Sequence, residues 1–277
     1  MGNSQPKNQQ LKVASLFSGI GGMDLGVRGG FTFLGKRYKD LKTELVFSTD
    51  FDSKALAVHS ENFDHNAVLS DITKLASDSI PDHEILTGGF PCQSFSVAAT
   101  NPPRLGYKDV RGQLFFEMVR ILKDKKPSVF VAENVKGLLS ANSRQAFPLV
   151  IREFENAGYH IKWQVLNAAD FGVPQKRQRV FIVGFRNVEH FEKFQFPSAT
   201  VKAGVPLSKV IEPGVISDEF FFSDRAVEGM RNTKNSKLMN KGRAQNPDVP
   251  CNTVGAHLAK VSLNSTDPVY FEGDRYR

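Results

Sequence analysis

The sequence predicts an α/β protein: a doubly wound, mostly parallel sheet followed by a small, loop-rich second domain. Three observations carry that expectation. Apolar, strand-like runs alternate with helix-like stretches up to residue 185, the pattern of parallel strands joined by crossovers. Residue types suited to chemistry gather where those runs end, which is where doubly wound sheets bind ligands. After Arg186 the composition turns to Pro, Asn, Ser and Lys, with short apolar runs and no clear helical period.

Taken in order, "LKVASLF" (11–17) is a buried-strand candidate that runs into "SGIGG". Gly19, Gly21 and Gly22 permit a tight turn that a nucleotide-type ligand can approach closely. Alone, such a turn serves equally as a simple bend. "ELVFSTD" (44–50) is the second strand and ends on Asp50, followed by Phe51 and Asp52. A carboxylate there can accept ribose hydroxyls, and the neighbouring aromatic can stack on adenine. A further acid, Asp71, lies in "SDIT" (70–73). No GxxxxGK[ST] phosphate loop is present, so the expected ligand is a nucleoside without a pyrophosphate rather than ATP.

"HEILTGG" (83–89) is the third strand and leads into "GGFPCQSFS" (88–96). A lone cysteine is most often a small buried hydrophobe. Cys92, however, follows a strand end, two glycines and Pro91, at the mouth of the expected cleft, where a nucleophilic thiolate would belong. Residues 113–125 place Leu114, Phe115, Met118, Ile121 and Leu122 on one helical face. "SVFVAEN" (128–134) brings Glu133 and Asn134 to the same cleft edge; the acid serves either a cap or acid catalysis. "HIKWQVLN" (160–167) and "RVFIVGF" (179–185) complete the strands. "PQKRQR" sets Arg177 and Arg179 two apart at the entry to the last of them, suited to phosphate, a base carbonyl or support of a thiolate.

Composition narrows the classes. The 277-residue chain is 40% hydrophobic and 23% charged, ordinary for a soluble globular protein. No stretch approaches the roughly 18 apolar residues that span a bilayer. The polar lead "MGNSQPKNQQ" (1–10) reads as a flexible N-terminus without a secretory core. Two distant cysteines, Cys92 and Cys251, form neither a disulfide framework nor a zinc spacing, so a cytoplasmic, metal-free protein is expected. The net charge of +7 suits a polyanionic partner. It concentrates between Arg225 and Arg243, where Arg225, Arg231, Lys234, Lys237, Lys241 and Arg243 face only Glu228. That run fits either a nucleic-acid contact or a solvated loop.

In this order, "FSGIGG", "DFD", "SDIT", "GGFPCQSFS", "ENV" and "PQKRQR" resemble the motif series of the DNA (cytosine-5) methyltransferases. "PDHEIL" and "RGQLFFEMVRIL" look like that family too. The resemblance covers residues 11–186 closely and the remainder loosely. It implies a Rossmann-like S-adenosylmethionine-dependent catalytic domain over 11–186 and a target-recognition domain over 187–277. It further implies methyl transfer to C5 of a cytosine flipped out of a specific duplex DNA sequence, with S-adenosylhomocysteine as product. By the match, Cys92 is the nucleophile at C6, Glu133 holds N3, and Arg179 contacts O2 with Arg177 beside it. Phe17, Ser18, Gly19, Ile20, Gly21 and Gly22 match the turn under the methionine portion. Asp50 matches the ribose acid, Phe51 the adenine-stacking aromatic, and Asp71 and Ile72 the adenine edge, with Gly89, Pro91 and Leu114 lining the rest. Glutamate is commoner than aspartate at the ribose position. Asn134 and Pro91 resemble residues that shape the pocket. On the DNA side the resemblance implicates Gln93 and Ser96 in a catalytic loop, the basic Arg225–Arg243 stretch, and Thr253 of "NTV"; Cys251 matches nothing.

The sequence departs from the family pattern at its end, where "YFEGDRYR" is followed by neither an "RLTPRE"-like motif nor a helix bearing "GNxV". That departure raises the expectation of a split enzyme completed by a second polypeptide, or of a truncated form. The usual bacterial or phage context would add a restriction enzyme. Two other functions remain open at this point: a catalytically idle DNA-binding or regulatory member of the fold, and a tRNA cytosine-5 methyltransferase.

Overall fold

The computed structural model describes residues 10–91, 110–212, 214, 216–231, 244–255, 268–272 and 275–276. Seven strands form the main sheet: β1 (Leu11–Leu16), β2 (Thr43–Asp50), β3 (Val68–Leu69), β4 (Ile85–Gly88), β5 (Val129–Val135), β6 (His160–Asn167) and β7 (Gln178–Phe185). Their order is β3-β2-β1-β4-β5-β7-β6. Central β1 runs parallel to both neighbours, with Leu16 opposite Thr49 on one side and Gly88 on the other. β4 and β5 are also parallel. β7 is the exception, antiparallel to β5 from Val129↔Phe185 to Val135↔Arg179. The chain reverses at the centre: β1 to β3 build one half outward, and β4 then returns to the other side of β1. Phe17 follows β1 and Gly89–Pro91 follow β4 at that switch point, with Asp50 at the end of the neighbouring β2.

The strands form where apolar residues can be buried on both sides of a central sheet. Val13, Ala14 and Leu16 are buried along β1. β5 alternates, with Phe130, Ala132 and Asn134 buried and the intervening residues partly exposed. Gly184 of β7 sits opposite Phe130, and a side chain there would overlap the Phe130 ring, so only glycine admits this register.

Helix α1 (Gly22–Arg28) follows β1, and α2 (Ser53–Asn62) follows β2. The start of α2 is set by Asp52, whose carboxylate accepts from Lys54 N and Ala55 N. α3 (Val110–Lys125) buries Phe115, Met118, Ile121 and Leu122, the face the sequence predicts. α4 (Ala146–Asn156) adds Phe147, Val150 and Phe154. Phe115, Phe154 and Phe130 meet ring to ring at 5.2 and 4.5 Å, and Tyr159 joins them at 5.0 Å from Phe130.

The chain separates into two compact units, Met1–Val165 with Arg179–Phe196 and Leu166–Gln178 with Pro197–Arg277. The first holds the sheet, α1 to α4 and the short helix α5 (Val188–Lys193). In the second, the described residues are held by scattered backbone bonds and the short helix α6 (Asp224–Arg231). Lys176 N donates to Cys251 O, Cys251 N to Pro174 O, and Gln245 N to Val269 O. No helix among the described residues is long and apolar enough to cross a membrane.

Candidate active site

The glycine turn after β1 is bound to the end of β2 by its own backbone. Ser18 N donates to Thr49 O at 3.0 Å, and Gly19 N to Asp50 Oδ2 at 2.8 Å. Asp50 Oδ1 accepts from Asp52 N at 3.0 Å. Each carboxylate oxygen therefore takes one amide and keeps acceptor capacity for a ligand hydroxyl. Gly21 adopts φ 87°, and a side chain there would run into the Phe63 ring of the segment after α2. The turn thus closes tightly enough for α1 to begin at Gly22.

Beneath it lies a buried pair the sequence reading did not find: His59 Nε2 and Asp24 Oδ2 are 3.0 Å apart and essentially inaccessible. His59 also stacks on Phe63 at 4.5 Å. The two residues come from different helices, and no local pattern links them.

Beside the turn is a pocket of about 440 Å³ lined by Phe17, Thr49, Asp50, Phe51, Ser70, Asp71, Ile72, Thr73, Pro91 and Leu114. The structure therefore brings together seven residues assigned to one ligand from sequence: Phe17, Asp50, Phe51, Asp71, Ile72, Pro91 and Leu114. Ser18, Gly19, Ile20, Gly21 and Gly22 build the turn without lining the pocket, and Gly89 falls outside its lining as well. Thr49, Ser70 and Thr73 are additions, and their signal was only adjacency to the two acids. Phe51 is 76% exposed, a large apolar ring with nothing described against it. Asp71 Oδ1 accepts from Thr73 N at 3.0 Å and Thr73 Oγ1 at 2.8 Å. Those two bonds, the hydroxyl's first, hold the Asp71 carboxyl below its ordinary value. Acids at two strand ends, an exposed aromatic and an otherwise apolar wall fit an adenosine-bearing ligand, and the volume lies in the roughly 300–1,000 Å³ range of small-molecule sites.

At the neighbouring strand ends, Glu133 of β5 and Arg179 of β7 pair diagonally across the sheet, Arg179 Nε to Glu133 Oε1 at 2.9 Å. Both side chains are mostly buried, so their mutual attraction is less screened than in a surface pair, against the cost of taking both charges out of water. A side chain on Gly89 would come within 3.7 Å of Glu133 Oε2, so the segment leading to Cys92 passes directly against the acid. Asn134 points to the opposite face. It is 2% exposed, donates from Nδ2 to Phe90 O at 2.9 Å, and accepts Val135 N at Oδ1 at 2.9 Å.

Cys92, Gln93, Ser96, Lys234, Lys237, Lys241 and Arg243 lie outside the described residues. Arg177 falls just before β7, in the second unit, where its carbonyl accepts from Ala168 N. Arg225 is exposed on α6, which Arg231 ends. Thr253 donates its hydroxyl to Lys176 O at 2.7 Å, within the second unit. Cys251 is buried, and burial raises its thiol pKa, in keeping with an unreactive residue. No group of three or more metal-ligating side chains occurs among the described residues.

A seven-stranded sheet in this order, with one antiparallel strand, is a fold shared with solved methyltransferases. Among solved structures, the Dnmt2 methyltransferase of S. pombe shares it with a TM-score of 0.66 at 18% identity, over 96% of this chain and 78% of that one. The Entamoeba histolytica methyltransferase EhMeth does so with a TM-score of 0.70 at 16% identity, over 94% and 75%. The chain belongs to the C-5 cytosine-specific DNA methylase family, which it matches over residues 11–270.

Two curated relatives are the Type II methyltransferases M.Bsp6I of Bacillus sp. (strain RFL6) and M1.ScrFI of Lactococcus lactis subsp. cremoris. The first is 39% identical over 221 residues, which cover 77% of this chain and 64% of the relative. The second is 36% identical over 235 residues, 83% of this chain and 56% of the relative. The chain thus spans less than two thirds of the length of either relative. Nothing in these likenesses supports a second, completing polypeptide.

Proposed function

We propose that the chain methylates C5 of a cytosine flipped out of a specific duplex DNA sequence, as a modification enzyme of the type II kind. The observation that carries this reading is the Glu133–Arg179 pair beside Gly89–Pro91, next to the acid-lined pocket of the same unit. A binding module has no need of a mostly buried acid and guanidinium against the Gly89–Pro91 segment.

Cytosine C5 is a poor nucleophile. In the proposed reaction the Cys92 thiolate adds to C6, and the electron pair of the C5–C6 double bond becomes available at C5. Glu133 holds a proton on N3, so negative charge does not build on the ring as sulfur adds. Arg179, held by Glu133, donates to O2, and Arg177 supports phosphate or the site. When bound, S-adenosylmethionine supplies the electrophilic methyl group and leaves as S-adenosylhomocysteine. Loss of the C5 proton then returns an electron pair to the ring and expels the Cys92 thiolate. The target carbon is inaccessible in a stacked duplex, hence the flipped base.

For the cofactor, Asp50 takes the ribose hydroxyls, Phe51 stacks on adenine, and Asp71 and Ile72 meet its edge. The glycine turn from Phe17 to Gly22 lies under the methionine portion, and Gly89, Pro91 and Leu114 complete the wall. Residues 11–186 are assigned to catalysis and 187–277 to target recognition, a functional division that departs from the two compact units at Leu166–Gln178 and at 187–196. Gln93, Ser96, Thr253 and the basic Arg225–Arg243 stretch contact DNA, the cations chiefly through phosphates.

The test is covalent trapping on duplex DNA containing 5-fluorocytosine, where the fluorine blocks loss from C5. An adduct that requires S-adenosylmethionine and disappears in Cys92→Ala supports the reading. An adduct on RNA alone, or none with a chain that binds S-adenosylhomocysteine, refutes it.

A further inference from the structure

We infer that Arg120 is a positioning residue for the adenosine end of the cofactor pocket; the inference rests on the reading of that pocket given above. Ile72 and Thr73 line the pocket from a single 3₁₀ turn, Ile72–Lys74, whose start is capped by Asp71. After that turn the chain has little regular structure until β4, with only the turn Ser77–Ser79 between. Ile72 O, Ala76 O and Ser77 O accept from Leu75 N, Ser79 N and Ile80 N within the segment, whereas Leu75 O and the Ser77 hydroxyl take partners from elsewhere.

Arg120 supplies them from α3. Its Nη2 donates to Leu75 O at 2.8 Å and Ile72 O at 3.4 Å, and its Nη1 donates to Ser77 Oγ at 2.6 Å. The Ser77 hydroxyl donates in turn to Asp124, one turn further along the same helix. Glu117, one turn earlier, fixes the guanidinium by accepting from Nε at 2.8 Å. Leu114, on the same helix, is itself a wall of the pocket. One rigid helix thus sets the Leu114 wall directly and the Ile72–Thr73 wall through Arg120.

The planar fork of arginine matches four acceptors in different directions, which the single ammonium of lysine cannot. The Arg120 side chain is 34% exposed and lies outside the core cluster. Its removal should therefore loosen the wall more than it destabilises the fold, which separates positioning from mere support.

The experiment is calorimetric titration of the full chain and of Arg120→Met with S-adenosylhomocysteine and with 5′-methylthioadenosine, which shares the adenosine but lacks the amino-acid portion. Arg120→Met is expected to weaken both by the same factor, roughly tenfold, with little change in the urea unfolding midpoint. Glu117→Ala leaves Arg120 in place but frees its fork; it should weaken both ligands by a smaller equal factor, and it provides the test if Arg120→Met does not fold. Unchanged affinity in the variants while the unsubstituted chain binds overturns the inference alone. So does a loss of affinity that tracks a falling unfolding midpoint. Failure of the unsubstituted chain to bind either ligand overturns the cofactor reading, and the inference with it.

Discussion

Replacing Asn134 by alanine tests how the segment leading to Cys92 is held. The side chain makes two hydrogen bonds, to Phe90 O and from Val135 N, both 2.9 Å, in a residue 2% exposed. Two neutral hydrogen bonds contribute about 1 kcal/mol each, and a buried carbonyl left unpaired adds about 1–3 kcal/mol. Phe90 is itself buried, so water does not readily replace the lost donor. The expected destabilisation is about 3 kcal/mol, read as a shift in urea unfolding followed by circular dichroism. Asn134→Asp keeps an acceptor for Val135 N but turns an oxygen toward the Phe90 carbonyl, and should be at least as damaging. Phe90 lies two residues before Cys92, so a displacement of about 1 Å there should slow 5-fluorocytosine trapping about 100-fold. Affinity for S-adenosylhomocysteine should fall much less than trapping does, since Pro91 is the one pocket wall that adjoins Phe90, while Asp50 and Asp71 are held by bonds of their own. An Asn134→Ala chain within about 0.5 kcal/mol of the parent that traps at the parental rate would refute the reasoning.

Phe51→Ala should leave stability within about 0.5 kcal/mol, because the ring is 76% exposed, yet raise the dissociation constant for S-adenosylhomocysteine about tenfold through lost stacking; equal affinity would remove Phe51 from the site. Gly21→Ala forces a side chain into a φ of 87° and against Phe63, so a cost of at least about 2 kcal/mol in urea unfolding is expected, and a neutral substitution would contradict the close packing. Stability should also fall on acidification. Burial lowers the pKa of His83 and of His65 from 6.5, with the His59 charge adding to the effect at His65. Below 6.5 the unfolded state therefore takes up more protons than the folded one, and the loss continues down to the folded values. His83→Gln should flatten the dependence of the urea midpoint between pH 7 and 5, and a midpoint that rises on acidification would refute the sign.

The sheet was legible because its strands are short apolar runs bounded by glycines and acids, and parallel burial on both faces keeps them so. The antiparallel direction of β7 is not encoded in its own residues; it follows from how the chain returns from β6. β3 escaped notice because a two-residue strand, Val68–Leu69, is too short to show a period. Of the site, the acids at the ends of β2 and after β3 were visible as residue types at strand ends. Thr49, Ser70 and Thr73 were not, since small polar residues beside an acid look like any loop. Asp24–His59 and Arg120 were invisible for another reason. Their partners are tens of residues away, and a buried pair or a guanidinium on backbone carbonyls leaves no pattern in either local stretch. Cys92 stood out by its place after a strand end, two glycines and Pro91, and its expected role as nucleophile came from the motif series.

The division of labour within adjacent residues explains why the "EN" of β5 must stay in phase. Successive residues of a strand face opposite sides, so Glu133 is delivered to the cleft edge and Asn134 to the buried face in one step. The acid meets Arg179, while the amide holds the backbone of the segment that carries Cys92. A one-residue slip of β5 against β4 would exchange the two roles, burying a carboxylate and exposing an amide. β4 and β5 are fixed in register from Ile85↔Val129 to Gly88↔Ala132, and the Gly184–Phe130 contact fixes β7 against β5. The distance between the Gly89–Pro91 segment and the acid is therefore set by the packing of the sheet.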